Sequence, residues 1–308
     1  MSLIIFGSIN MDLVAQVPHL PRKGETLQST NFFTTPGGKG ANQAVAAAKL
    51  GIPTEFFGRV GGDNYGEELI TSLQRAGVKT NYLFTDSSAN SGIAIITVDD
   101  KGDNEIIVVP GANGQIQKTD IIRLKQILPG KTALLLQLEI PLFAVVAAAK
   151  TAKAAGVMVI LDPAPTQANI PEELFPLVDI ITPNEVEAAQ LVGFTVDSQK
   201  SAILAAEKLL TRGVKNAIVK LGEKGVVCAT AEETFFVPAF AVNAVDTVAA
   251  GDAFNGALAA ALCEGLSLPQ GVVWGAAAGA LAATKAGAQA SLPTREELER
   301  FLRERGVR

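Results

Sequence analysis

One histidine (His19), two cysteines (Cys228, Cys263) and one tryptophan are spread over 308 residues. So little His and Cys excludes zinc sites of the His/Cys type and argues against a His-based nucleophilic triad. The two cysteines lie far apart in strand-like and helix-like apolar settings, which fits buried reduced thiols better than a disulfide. Positive charge is scarce too: 26 Lys and Arg against 31 Asp and Glu give a net charge of -5. That argues against a broad nucleic-acid surface, because neutralising phosphates takes clustered basic residues. It leaves room for a small nucleotide pocket. No apolar run near either end approaches the ~20 residues that span a bilayer. The longest uncharged run near the C-terminus, 272–284, is Ala/Gly-rich and reads as a packed internal helix. The N-terminal residues lack the basic stretch of a signal peptide. The expectation is a cytoplasmic chain with neither membrane nor nucleic acid as partner.

What is present is a sizeable core: 48% hydrophobic and 19% charged residues. Short apolar runs at 2–6, 132–138, 157–161, 180–182 and 216–221 read as buried strands. Helical patterns at 41–49, 65–75, 143–155, 185–192 and 201–211 separate them. Four of these patterns stop at Gly51, Gly77, Gly156 and Gly213, each followed by an apolar residue, the mark of a left-handed C-cap. The alternation predicts an α/β fold, a three-layer α/β/α core with a mostly parallel sheet. Two stretches, about 12–34 and 91–110, break it. They are polar or alternating, and the second carries a hairpin signal across 99–104. They read as a small β-sheet lid on a single domain spanning 1–308, with two independent hairpins as the alternative. From 248 on, Ala/Gly-rich segments at 250–264 and 271–284 predict tightly packed helices, and Pro293-Thr294 starts a charged helix over 295–305.

Several segments could carry chemistry. In Asp246-Thr247-Val248-Ala249-Ala250-Gly251-Asp252 a loop of small residues enters a helix. Free N–H groups at the helix start can face an anion, and Asp252 can take a proton from a hydroxyl held beside them. A base next to an anion hole suits phosphoryl transfer to an alcohol. A carboxylate complementing the helix dipole is the plainer alternative. Pro36-Gly37-Gly38-Lys39-Gly40-Ala41-Asn42 lets the backbone approach a ligand, with Lys39 and Asn42 as donors. It is neither a P-loop nor a Gly-x-Gly-x-x-Gly fingerprint, and a simple strand-to-helix turn competes. Gly7-Ser8-Ile9-Asn10-Met11-Asp12 follows the first strand, where open α/β sheets bind ligands; Asn10 and Asp12 could grip sugar hydroxyls, or form an Asx turn. Asn184 and Glu187 share a helix face and suit hydrated Mg²⁺, which keeps most of its waters, against a helix N-cap reading. Lys220 to Gly225 is a Gly-bounded turn at a strand end that could line a nucleotide. The helix exit from Lys285 to Ser291 offers free carbonyls for a monovalent cation.

Taken together with Gln137-Leu138-Glu139-Ile140-Pro141, the order of these motifs resembles the ribokinase-like carbohydrate kinase family, from Ile4 to about Pro293. The resemblance implies an ATP-dependent sugar kinase that phosphorylates D-ribose at O5. Kinases of the same family acting on deoxyribose, fructose or a nucleoside are the alternative. It implies Asp252 as catalytic base and Ala249, Ala250 and Gly251 as the anion hole. It implies sugar binding by Asn10, Met11, Asp12, Gly38, Lys39, Gly40, Ala41, Asn42 and Glu139, with Asp252. It implies nucleotide and phosphate contacts from Asn184, Glu187, Lys220, Leu221, Gly222, Glu223, Lys224 and Gly225, beside Gly251 and Asp252. It further implies Mg²⁺ at Glu187 through water, and K⁺ at Asp246, Val248, Ala282, Lys285, Gly287 and Ser291. A homodimer formed through the lid belongs to the same expectation. The chain departs from the family at Lys285, often Arg; at Ala276, where some relatives carry Asn near the adenine; and at Lys220, where a small hydroxyl residue is common.

Overall fold

Leu3–Phe6, with all four side chains buried, form strand β1, an interior strand of the molecule's larger sheet. The computed structural model describes residues 2–167 and 169–307. After β1 come β2 (Asn10–Val17), β3 (Asn31–Gly37), α1 (Lys39–Lys49), β4 (Thr54–Gly61), α2 (Asn64–Arg75), β5 (Lys79–Asp86), β6 (Gly92–Asp99) and β7 (Asn104–Val109). The middle of the chain supplies α3 (Lys118–Ile127), β8 (Ala133–Leu136), α4 (Leu142–Ala154), β9 (Met158–Leu161), β10 (Ile180–Ile181), α5 (Glu185–Val192) and α6 (Gln199–Thr211). It ends with β11 (Asn216–Lys220), β12 (Val226–Ala229) and β13 (Thr234–Val237), and the rest is helical: α7 (Ala250–Cys263), α8 (Leu268–Ala283), α9 (Ala288–Ser291) and α10 (Arg295–Glu304).

The larger sheet has nine strands in the order β13-β12-β11-β10-β9-β8-β1-β4-β5. From β11 to β5 every pairing is parallel; β12 and β13 add an antiparallel hairpin at one edge. Alternation along β1 explains the layers. Leu3 and Ile5 join a core with α1, α2, α7, α8 and α10, while Ile4 and Phe6 join another with α3, α4, α5 and α6. A parallel strand buried on both faces therefore reads as an unbroken apolar run. Each such side chain contributes roughly 1.5–3 kcal/mol by leaving water.

The smaller sheet has the order β3-β2-β6-β7. Its two hairpins are joined by parallel pairing of β2 with β6, from Asn10↔Gly92 to Val17↔Asp99, so they form one lid sheet rather than independent excursions. The hairpin predicted across 99–104 joins β6 to β7.

The predicted helix-stop glycines Gly51, Gly77, Gly156 and Gly213 all have φ between 70° and 104°. Small residues let α7 and α8 pack closely: a methyl on Gly275 would strike the Phe254 ring at 2.9 Å. Strands β4 and β5 and helix α3 were not anticipated. β4 is interrupted by Gly58 and Arg59, and β5 is mostly exposed or half-buried, so neither shows a continuous apolar run. Both cysteines are free and buried, and burial pushes their thiols up, to about 12 for Cys228 and about 11 for Cys263. Among the described residues no helix is long and apolar enough to cross a membrane.

Candidate active site

Strand order reverses around β1: the chain first adds β4 and β5 on one side, then β8 to β11 on the other. Ligands of open α/β sheets bind at such a switch point, beyond the carboxyl ends of the strands. The segments singled out in the sequence converge there. Ser8 and Asn10 follow β1, Glu139 follows β8, Asn184 follows β10 and Lys220 closes β11. Helices α1 and α7 aim their N-termini at the same edge.

Two glycines make this convergence possible. Gly38, the N-cap of α1, has φ 89°, and a methyl there would lie 2.8 Å from the Asn10 nitrogen. A methyl on Gly40 would lie 2.8 Å from the Gly7 carbonyl carbon and the Ser8 nitrogen. The start of α1 thus packs directly on the β1–β2 connection. The Ala41 N–H donates to the Ser8 carbonyl at 2.9 Å, and the Lys39 N–H donates to Glu139 Oε2 at 3.2 Å. The segment is a strand-to-helix turn, as the plainer alternative held, and it also delivers Lys39 to the cluster.

Asp252 stands in the first turn of α7, 7% exposed. Asn42 Nδ2 donates to its Oδ2 at 2.9 Å and Gln43 Nε2 to its Oδ1 at 2.9 Å. The close crossing of α1 and α7, with Gly256 against Ala46 and Gln43, sets that geometry. Burial pushes the Asp252 carboxyl up to about 6; Lys39 and the two amide donors hold it down, and Asp162 adds to the rise. Burial also lifts Asp12 to about 7, helped by the charges of Glu139 and Asp252 and opposed by Lys39. Burial works against the charged form of Lys39, yet Asp252, Glu139, Asp162 and Glu187 outweigh it and keep the ammonium above its ordinary value. The site is a set of carboxylates around Lys39, with Lys220 against Asp162.

Before α7 the backbone is strained. Ala249 has φ 59°, the only non-glycine residue with positive φ among those described. This left-handed residue turns the chain so that the following N–H groups open the helix. Such strain costs roughly 1–2 kcal/mol and gathers at functional sites.

The other sugar-site candidates divide. Asn10 is buried, and its Oδ1 accepts from Asn113 Nδ2 at 2.8 Å, which leaves its own amide group as donor. Met11 and Ala41 have fully buried side chains that belong to the core, so only their backbone is offered to a ligand. Asn184 and Glu187 form a reciprocal capping box: Glu187 N–H donates to Asn184 Oδ1 at 2.8 Å and Asn184 N–H to Glu187 Oε2 at 2.9 Å. The N-cap reading is therefore correct, and Glu187 Oε1 is the atom left over. Burial and the charge of Asp162 raise the Glu187 carboxyl, against Lys220.

Lys220 to Gly225 close the β11–β12 hairpin; Leu221 is buried, and Lys224 Nζ donates to the Asp197 carbonyl. Asp246 ties two loops together, accepting from Val248 N–H and from Gly287 N–H, each at 2.9 Å. Lys285 turns its side chain to Glu297 at 2.7 Å, Ser291 Oγ donates to the Ala288 carbonyl, and the Ala282 carbonyl accepts from Lys285 N–H. Of the six cation-site candidates, Asp246 and Val248 lie on the loop before α7, Lys285 and Gly287 on the loop between α8 and α9, and Ala282 and Ser291 in those two helices. Among the described residues no three His, Cys, Asp or Glu side chains gather as a metal-ligand set.

Four participants were missed in the sequence. Gln43 donates to both Asp252 and Asp162, Gln137 donates to Gln43 at 2.6 Å, Asp162 meets Lys220, and Asn113 orients Asn10. Asp162 follows β9 at the same sheet edge, a position that could have flagged it.

Known proteins share this fold. Residues 1–295 match the pfkB family carbohydrate kinase model. The chain is 40% identical over 301 residues to a ribokinase of Haemophilus influenzae, covering 98% of each. It superposes on the crystal structure of a Thermotoga maritima ribokinase with a TM-score of 0.88 at 42% identity, covering 98% of this chain and 99% of that one. An Arabidopsis thaliana ribokinase complexed with ribose and ATP gives a TM-score of 0.89 at 35% identity, with 98% of both chains covered.

Proposed function

Because the chain belongs to the pfkB family of carbohydrate kinases, we propose that it transfers the γ-phosphoryl group of ATP to O5 of D-ribose, giving D-ribose 5-phosphate and ADP. The observation that carries this reading is Asp252: a buried carboxylate fixed by two amide donors at the opening of α7. Its oxygens are oriented before substrate arrives, so little reorganisation is left for the reaction. With its carboxyl at about 6, it is ionised at neutral pH and still basic enough to take the O5 proton as O5 attacks.

Sugar hydroxyls fit the donors and acceptors around it. The Asn10 amide donates, Asp12 and Glu139 accept, and Lys39 balances their charge. The start of α7 after Ala249, with Ala250 and Gly251, forms the anion hole for the transferring group; the Ala250 N–H donates to the Thr247 carbonyl at 3.2 Å before a ligand binds, so the Gly251 N–H is the donor ready to meet it. ATP lies across the Lys220–Gly225 turn. Magnesium, when bound, neutralises phosphate charge; Glu187 Oε1 is the free carboxylate oxygen to hold one of its waters, and the mutual charge of Asp162 and Glu187 suits a cation there. A potassium ion suits the oxygens of the 246–248 and 282–291 segments, with Asp246 supplying the charge. The two free buried thiols accord with a cytoplasmic setting.

The reading includes a second copy of the chain docked on the lid. Phe32, Ile95 and Ile107 share one face of its sheet and are 61%, 42% and 63% exposed, an apolar face that a symmetric partner would cover. ADP release measured with D-ribose, 2-deoxyribose, fructose and nucleosides tests the substrate. The highest kcat/KM is expected with D-ribose. A preference for a nucleoside or hexose, or ATP turnover independent of sugar, would overturn the reading.

A further inference from the structure

Lys220 ends β11, and a bridge pairs it with Asn184 at the neighbouring strand end. Its side chain does not run out to solvent. It is 13% exposed, and Nζ stands 3.3 Å from Asp162 Oδ1. A methyl group on Gly251 would lie 3.7 Å from Nζ, so the ammonium rests against the first turn of α7 on the anion-hole side. A cation gains nothing from a helix N-terminus, which itself carries partial positive charge. Lys39 adds a second ammonium to the same cluster. Asp162 offsets this with one long contact, its own carboxylate being almost wholly buried. An ammonium has three protons to give, and Asp162 is the one side-chain acceptor it meets among the described residues.

Gln43 connects this cation to the base. Its Nε2 donates to Asp162 Oδ2 at 2.8 Å and to Asp252 Oδ1 at 2.9 Å. The two carboxylates are therefore held by one amide, and the ammonium is tied to it through Asp162. A group with several anionic oxygens placed beside Gly251 would meet backbone N–H groups from one side and Lys220 from another.

Resting on the sugar-kinase reading above, we propose that Lys220 is a catalytic residue that contacts the transferring phosphoryl group and closes the anion hole beside Gly251. Asp162 and Gln43 are its positioning residues. In the step itself the bond between the γ-phosphorus and the bridging oxygen breaks and the O5–phosphorus bond forms. The O5 proton goes to Asp252, ADP leaves with the bridging oxygen, and Lys220 stays protonated throughout. A lysine that merely neutralised Asp162 would be dispensable once Asp162 was neutral, and this separates the two roles.

The test compares wild type with Lys220→Met and with the double variant Lys220→Met/Asp162→Asn, which leaves no uncompensated carboxylate. Each is first checked for folding by thermal melting. We expect kcat about 100-fold lower in both, the usual effect of losing one donor to developing charge, with the ribose KM nearly unchanged. Affinity for ADP with aluminium fluoride and ribose, measured by calorimetry, should fall in proportion while affinity for ADP alone is kept. A double variant with wild-type kcat would overturn the proposal. Failure of the sugar-kinase reading is distinguishable, because it shows in the wild-type arm as ADP release that does not depend on ribose.

Discussion

Gln43 Nε2 lies 2.9 Å from Asp252 Oδ1, between residues 209 positions apart in the chain. The same nitrogen reaches Asp162, so one neutral amide keeps two buried carboxylates in register. Replacing it with Met, which fills similar volume without a donor, leaves those carboxylates to repel each other. A donor to the ionised form lowers a carboxyl pKa, and its loss raises it. Gln43→Met should move the acid limb of the pH–rate profile above the wild-type value near 6 and lower kcat at pH 7 about 10-fold. A profile that stays in place would contradict this positioning role.

Ala249 is expected to behave unlike other helix-terminal alanines. At φ 59° the side chain is strained, and glycine is not. Elsewhere in a helix Ala→Gly costs about 1 kcal/mol. Ala249→Gly should leave the melting temperature unchanged or raise it; a clear drop would show that the strain is absent.

Asp12 makes stability depend on pH. Its carboxyl is at about 7 in the folded chain against 3.8 unfolded. A raised folded pKa stabilises at low pH, and that contribution is lost as pH rises through about 7. Asp12→Asn removes the dependence. The variant should melt above wild type at pH 8, with the gap closing below pH 4, while sugar affinity falls. Equal melting temperatures at pH 8 would refute the shift.

The exposed lid face offers a test of assembly. Ile107, 63% exposed on β7, would be covered in a lid-to-lid dimer. Light scattering should give twice the chain mass of 32.0 kDa for wild type and the single mass for Ile107→Asp, with the melting temperature of the core preserved. A wild-type monomer would remove the dimer from the account.

Much of this architecture was legible. β1, β8, β9 and β11 are apolar runs because both faces are buried, and helices α5 and α6 carry caps at Asn184 and Ser198 that local chemistry dictates. The motif segments were legible because helix starts and Gly turns are local devices. The links between them were not. Asn113 reaches Asn10 across 103 positions and Gln43 reaches Asp162 across 119, and no local pattern reports such a contact. Lys220 shows the same limit: the sequence offered it only as part of a turn that could line a nucleotide, and only the fold sets it against Asp162 and Gly251.

The central claim is that Asp252 takes the O5 proton while ATP gives up its γ-phosphoryl group. The most direct measurement follows the reaction of D-ribose with ATP by phosphorus NMR, for wild type and Asp252→Asn side by side at saturating substrates. The account predicts ribose 5-phosphate and ADP in equal amounts from wild type, and a rate at least ~100-fold lower from a folded Asp252→Asn. Near-normal formation of ribose 5-phosphate by Asp252→Asn, or a wild-type product phosphorylated elsewhere than O5, would contradict it.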